Sequence, residues 1–85
     1  MAKLVKSVRS TRSIKRVSVG RVVEIVKGGE TARYTRVNGG WTARVAHGKY
    51  SPWEDVVTVF TSWEVAQQVN DVAPYHTREH HAYIF

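Results

Sequence analysis

Six cations crowd the first sixteen residues, Lys3, Lys6, Arg9, Arg12, Lys15 and Arg16, and no carboxylate lies among them. Five recur at every third position, separated mostly by Ser, Thr and Val. Ammonium and guanidinium groups in such a run suit phosphate. Each charge that neutralises a phosphate releases a condensed counterion, so binding is tight at low salt and steeply salt-dependent. A period of three aligns the charges on no single strand face and only loosely on a helix. With its Ser and Thr content and no apolar periodicity, the segment 1–16 is expected to be a basic arm, disordered when free and ordered on nucleic acid. Plainer roles compete: a solubilising tail, a segment folded against the chain's own seven carboxylates, or a clamp on an acidic protein surface.

A second group depends on how the chain pairs with itself. Asn38-Gly39 is a strong hairpin signal, and Gly28-Gly29 forms another two-residue turn with Lys27 and Glu30 facing each other across it. Two-residue loops at both turns pair Ile25 with Ala32, Val23 with Tyr34 and Arg21 with Arg36, then Arg36 with Trp41, Tyr34 with Ala43 and Ala32 with Val45. Both registers put Val23, Ile25, Ala32, Tyr34, Trp41, Ala43 and Val45 on one face, an agreement expected of a foldable sequence. Gly40 is the weak point, because it permits a three-residue loop and a slip. Arg21 and Arg36 then oppose each other beside Trp41. Like charges facing across a sheet are unfavourable, so an anion or an aromatic face would relieve them. Arg on Trp is a cation–π pair, and both residues suit unpaired bases. Alternatively the two arginines are solvated at the rim and merely cover Trp41. On the other face Glu24, Arg33 and Arg44 line up, with Arg33 neutralised by Glu24 and Arg44 left over.

His76-Thr77-Arg78-Glu79-His80 matches the H-x-x-E-H pattern of some zinc peptidases. Two histidines at i and i+4 on a helix share a zinc, with the glutamate as base. Here Pro74 adjoins the motif and only five residues follow it, too few for a third ligand and a cleft. A polar tail, or incidental metal binding by His76, His80 and His81, is the alternative; below pH ~6.5 these rings gain charge. No catalytic residues, metal site or cofactor are expected. Neither a nucleophile elbow, a P-loop nor a dinucleotide fingerprint is present.

The elements that would position these groups follow from the valines. Val17, Val19, Val23 and Ile25 alternate with more polar neighbours, and β-branched side chains favour strands. Three strands, 17–27, 31–37 and 41–47, make a meander. Residues 51–73 admit two interpretations. Ser51-Pro52-Trp53-Glu54 starts a helix well, and one long helix through Val56, Phe60, Trp63 and Val69 is conceivable. Against it, 56–60 is nearly all β-branched or aromatic, and Thr61 with Glu64 forms a second capping box. A strand at 56–60 followed by a helix at about 62–72 accounts for both, with Trp63, Ala66, Val69 and Val72 or Ala73 buried. Trp53 and Trp63 are assigned to packing. The C-terminal Ala82-Tyr83-Ile84-Phe85 is open to use as an edge strand or an apolar anchor.

Eighty-five residues make one domain. Without cysteine there is no disulfide or thiolate site to staple it, so self-association is a reasonable expectation for a fold this small. Net charge +6 favours anionic partners. No run approaches the roughly 18 apolar residues of a membrane span, and no apolar core of a signal peptide follows the basic start. A cytoplasmic protein that does not enter membranes is expected.

In the hairpin from Tyr34 to Trp41 and the strand-to-helix step from Val59 to Ala66, the chain resembles small accessory proteins of bacteriophages, especially those of actinobacterial hosts. That resemblance implies a binder of host machinery, acting in the host cytoplasm, more than an enzyme. It carries over no functional residue.

The expectation is therefore an α+β fold in which a three- to four-stranded antiparallel meander packs one C-terminal helix and carries a flexible basic arm. The boundaries are 1–16 for the arm, 17–73 for the domain and 74–85 for a His-rich tail. The expected function is non-catalytic binding of DNA or RNA by the six arm cations, with Arg21, Arg36, Trp41 and Arg44 as a secondary surface. The alternative is a protein-interaction module, anchored by exposed aromatics such as Trp53 or Tyr83, that inhibits or modulates a host protein.

Overall fold

The structure, a computed structural model, describes the main chain of residues 2–6 and 11–85 and the side chains of 2–6 and 13–85. Its elements are β1 (Lys3–Leu4), α1 (Thr11–Lys15), β2 (Val22–Lys27), β3 (Glu30–Val37), β4 (Gly40–Ala46), β5 (Glu54–Phe60), α2 (Ser62–Val72) and β6 (His80–Ile84). The six strands form one antiparallel sheet in the order β1-β6-β2-β3-β4-β5. The coarse class is the expected α+β. Among the described residues, however, the sheet has six strands where three or four were expected, and there are two helices where one was expected.

Both hairpins close with two-residue turns. Lys27 pairs with Glu30, Val23 with Tyr34, Arg36 with Trp41 and Val37 with Gly40, and no slip occurs. Gly28, Gly29 and Gly39 have positive φ, as such turns require. Gly40 answers a different need. A Cβ there would lie 2.8 Å from the main-chain oxygen of Phe60 and 2.9 Å from Val59 Cγ1, so glycine lets β5 come in close. The β4–β5 register shifts at this point: Trp41 pairs with Phe60, but Ala43 pairs with Val56.

Residues 54–72 are strand then helix. Thr61 Oγ1 accepts from the Glu64 amide (3.1 Å) and Glu64 Oε1 accepts from the Thr61 amide (3.0 Å), a capping box that fixes where α2 begins. Ser51 to Glu54, which also looks like a helix start, instead leads into β5. The buried side of α2 is Ser62, Val65, Ala66, Val69 and Val72, while Trp63 is 60% exposed. Trp63 therefore does not belong to the stripe. The apolar face begins one residue earlier, at Ser62, and at about 100° per residue Trp63 is turned away from it.

Three further corrections concern the ends and the start of β2. Val5 amide donates to Ala82 oxygen (2.9 Å), and Val5 and Ile14 are buried in the core cluster with α2. So within 1–16, residues 3–5 and 11–15 are docked parts of the domain rather than a free arm; Arg9 lies outside the described residues. The segment 74–85 is likewise no tail: β6 is an interior strand, paired with β1 on one side and β2 on the other. Val19, expected to alternate into the core, is 60% exposed. A turn in which Arg21 amide bonds Ser18 oxygen, with Gly20 at φ 95°, breaks the alternation before β2 starts.

One face of the sheet carries Val23, Ile25, Tyr34, Trp41, Ala43 and Ala82, and α2, with α1 against it, covers that face. Among the described residues no helix covers the other face. Nor, among the described residues, is any helix long and apolar enough to cross a membrane.

Candidate nucleic-acid interface

The antiparallel order gives the sheet two chemically different ends. At one end meet the start of β2, the end of β3, the start of β4 and the end of β6. There the Arg36 amide donates to Arg21 oxygen (2.9 Å) and the Gly20 amide to Arg36 oxygen (2.9 Å), so the two arginines are neighbours as the register required. Arg21 is exposed, and its Nε donates to the main-chain oxygen of Phe85 (2.8 Å). Lys15, the exposed last residue of α1, shares a shallow cleft of about 350 Å³ with Arg36, Gly39, Gly40, Thr61 and Ser62. Arg16 is exposed beside it.

Arg36 is half-buried and held in place. Its Nη1 donates to Ser62 Oγ (3.1 Å) and, at longer range, to Gly40 oxygen (3.3 Å), and its guanidinium lies 5.4 Å from the Trp41 ring centre. Trp41 itself has no exposed surface, and its Nε1 donates to the same Ser62 oxygen (3.0 Å). A hydroxyl oxygen has two lone pairs, so Ser62 satisfies both donors. Trp41 is thus removed from the candidate surface: a fully enclosed ring cannot meet a base, and it serves as the platform for Arg36.

Lys3 and Lys6 are exposed and, with Ser13, Ile14 and Ile84, line a trench of about 490 Å³ between β1 and α1. Arg12 belongs to α1. Arg44 is not part of this group. It lies on the uncovered sheet face and pairs with Asp55 (3.1 Å), so it is not the unpaired cation expected; Glu24 and Arg33 pair as expected (2.8 Å). Among the described residues, salt bridges engage Lys27, Arg33, Arg44 and His47, and none engages Lys3, Lys6, Lys15, Arg16, Arg21 or Arg36.

The opposite end of the sheet gathers acid. Glu30 and Glu54 flank His47, whose Nδ1 and Nε2 lie 2.6 and 3.4 Å from them, and Asp71 takes Lys27 (3.2 Å). Glu79 sits in the cleft that Lys27 and Asp71 line there. Hydrogen bonding to Glu30 and its charge, with a smaller contribution from Glu54, raise the His47 pKa above the usual imidazole value. A carboxylate at the basic end, Glu64, is already bonded to the Thr61 amide. It also adds to burial in raising the Tyr34 pKa.

The H-x-x-E-H residues do not sit on a helix. His76 has φ 52°, Thr77 and His80 form a bridge in a tight turn, and His76 Nε2 is 3.4 Å from Lys6 oxygen. Two ligands at helical i, i+4 spacing are therefore not presented. Sequence reasoning also passed over a set on the uncovered face: His81, Tyr83 and Phe85 alternate along β6, opposite Ala82 and Ile84. The period-2 pattern is visible in the sequence, where Ala82 to Phe85 is open to use as an edge strand, but its interior place between β1 and β2 is not.

No family model matches this sequence, and comparison with curated proteins and with solved structures finds none similar to it.

Proposed function

We propose that the chain is a non-catalytic nucleic-acid-binding protein that grips phosphates at the basic end of its sheet. The observation that carries this is the polarity of charge. Lys15, Arg16, Arg21 and Arg36 gather at one end, engaged by no salt bridge among the described residues, while at the other Glu30, Glu54, Asp71 and Glu79 offset Lys27, His47 and Arg78. A net charge of +6 distributed this way orients the molecule with its basic end toward a polyanion. The lysines of the β1–α1 trench extend the basic surface along one side. Rigid cations suit phosphate better than a free arm does, since less side-chain and main-chain freedom is lost on binding.

A protein-interaction module is the second interpretation, favoured by one observation. Edge strand β5 exposes Val57 (98%) and Val59, Trp63 is exposed on α2, and unprotected apolar edges invite another chain. A pulldown from lysate with and without nuclease separates the two. Recovery of nucleic acid that nuclease abolishes supports the first; a stoichiometric protein that survives nuclease supports the second and retires the first.

A further inference from the structure

On the sheet face that no described helix covers, three aromatic rings stand in a column along β6. His81 and Tyr83 have ring centres 5.3 Å apart, and Tyr83 and Phe85 6.4 Å apart. His81 and Tyr83 are half-buried and Phe85 is 47% exposed, so part of each side chain reaches solvent. His81 and Tyr83 belong to interior strand β6, and the Phe85 amide donates to Val22 oxygen (2.8 Å). Beside it, Val22, Arg33 and Phe85 line a cleft of about 300 Å³. The column runs into the basic end, where Arg21 Nε bonds the main-chain oxygen of Phe85.

We propose that this open face stacks the bases of an unpaired nucleic-acid strand on Tyr83 and Phe85, with His81 continuing the column, while Arg21 at its end meets the phosphates. The proposal rests on the nucleic-acid function above and specifies its substrate as single-stranded. Every base has a π face, so a column of rings next to cations takes a single strand without needing a particular sequence. A duplex keeps its bases stacked on one another and cannot offer those faces to a broad sheet. Arg33–Glu24 and Arg44–Asp55 are ion pairs, so the face itself is close to neutral, and its cationic flank is Arg21 at the end of the column. The strand is also the occupant that the neighbouring basic end already favours.

The test uses a labelled oligothymidine and a random-sequence duplex of equal length. Tyr83→Leu and Phe85→Leu keep apolar bulk while removing the ring, and thermal melts check that each variant folds. Expected is a loss of single-strand affinity of roughly 5- to 150-fold for each, with duplex affinity unchanged and Tyr83→Phe close to the parent. Crosslinking of the unaltered protein to a bromouridine oligonucleotide, mapped by mass spectrometry, must place adducts at Tyr83, Phe85 or His81. Folded variants that bind oligothymidine as tightly as the parent, or adducts only elsewhere, overturn the single-strand proposal and leave phosphate binding standing. Failure of the unaltered protein to bind either probe at low salt overturns both.

Discussion

Replacing Trp41 by Ala asks what the most enclosed large side chain does. The indole has no exposed surface, donates to Ser62 Oγ at 3.0 Å and carries the Arg36 guanidinium 5.4 Å from its ring centre. Truncating a buried tryptophan to alanine costs about 3–5 kcal/mol. At ~0.05–0.15 kcal/mol per residue, a chain of this length has ~4–13 kcal/mol of stability in total. The substitution therefore removes a large share of it. At ~4–8 °C per kcal/mol, the melting temperature should fall by roughly 12–40 °C, or the cooperative transition should vanish. Trp41→Phe keeps one aromatic ring but loses the hydrogen bond, about 0.5–1.5 kcal/mol, and adds the cost of the cavity the missing pyrrole leaves. Circular-dichroism melts measure both, and a binding titration of the folded Phe variant should match the parent because the ring never reaches the surface. An unchanged melting temperature for Trp41→Ala would refute the placement of Trp41 in the core. Lost nucleic-acid affinity in a stable Phe variant that keeps Arg36 in place would refute its exclusion from the interface.

Ile14→Ala should cost about 2–5 kcal/mol by chemical denaturation, since Ile14 has no exposed surface; a cost near zero would restore the free arm. Gly40→Ala should destabilise by about 1–3 kcal/mol, because a main-chain oxygen 2.8 Å from the new Cβ cannot move aside without β5, and a neutral result would contradict that close approach. The His47 ring should titrate above its usual midpoint by NMR, and Glu30→Gln should bring it back down. Because the folded pKa is the raised one, the His47 contribution to stability is full below about pH 6.5 and is lost as pH rises through the folded value.

What was legible in the sequence was local. Gly28-Gly29 and Asn38-Gly39 specify their turns by backbone chemistry alone, and with the turns comes the register that brings Arg21, Arg36 and Trp41 together. The Thr61–Glu64 box marks the start of α2 for the same reason. What was not legible depended on distant partners. Nothing near Lys3 announces that β1 will pair with β6, about eighty positions along the chain, and a two-residue strand has no periodicity to read. Ile14 is a single apolar residue among cations, so its burial against α2 leaves no local pattern. The charges of 1–16 suggested an arm because repulsion and polarity were visible, while the docking contacts of Val5 and Ile14 were not. Trp41 was placed correctly in the sheet, but only tertiary packing decides that its ring is enclosed.

The central claim, phosphate binding by the basic end, is tested most directly by the salt dependence of affinity. Lys15, Arg16 and Arg21 are exposed and lie outside the core, so Lys15→Gln, Arg16→Gln and Arg21→Gln combined should leave the fold intact. Deleting 1–16 gives no such clean answer, because Val5 and Ile14 leave with the charges. With one phosphate per cation, the slope of log affinity against log salt should flatten by ~2.7 on a duplex and ~2.1 on a single strand. Fluorescence anisotropy across a salt series, parent beside variant, reads both slopes. The account predicts weaker binding and a flatter slope for the variant; equal affinity and equal slope for a folded variant would contradict it.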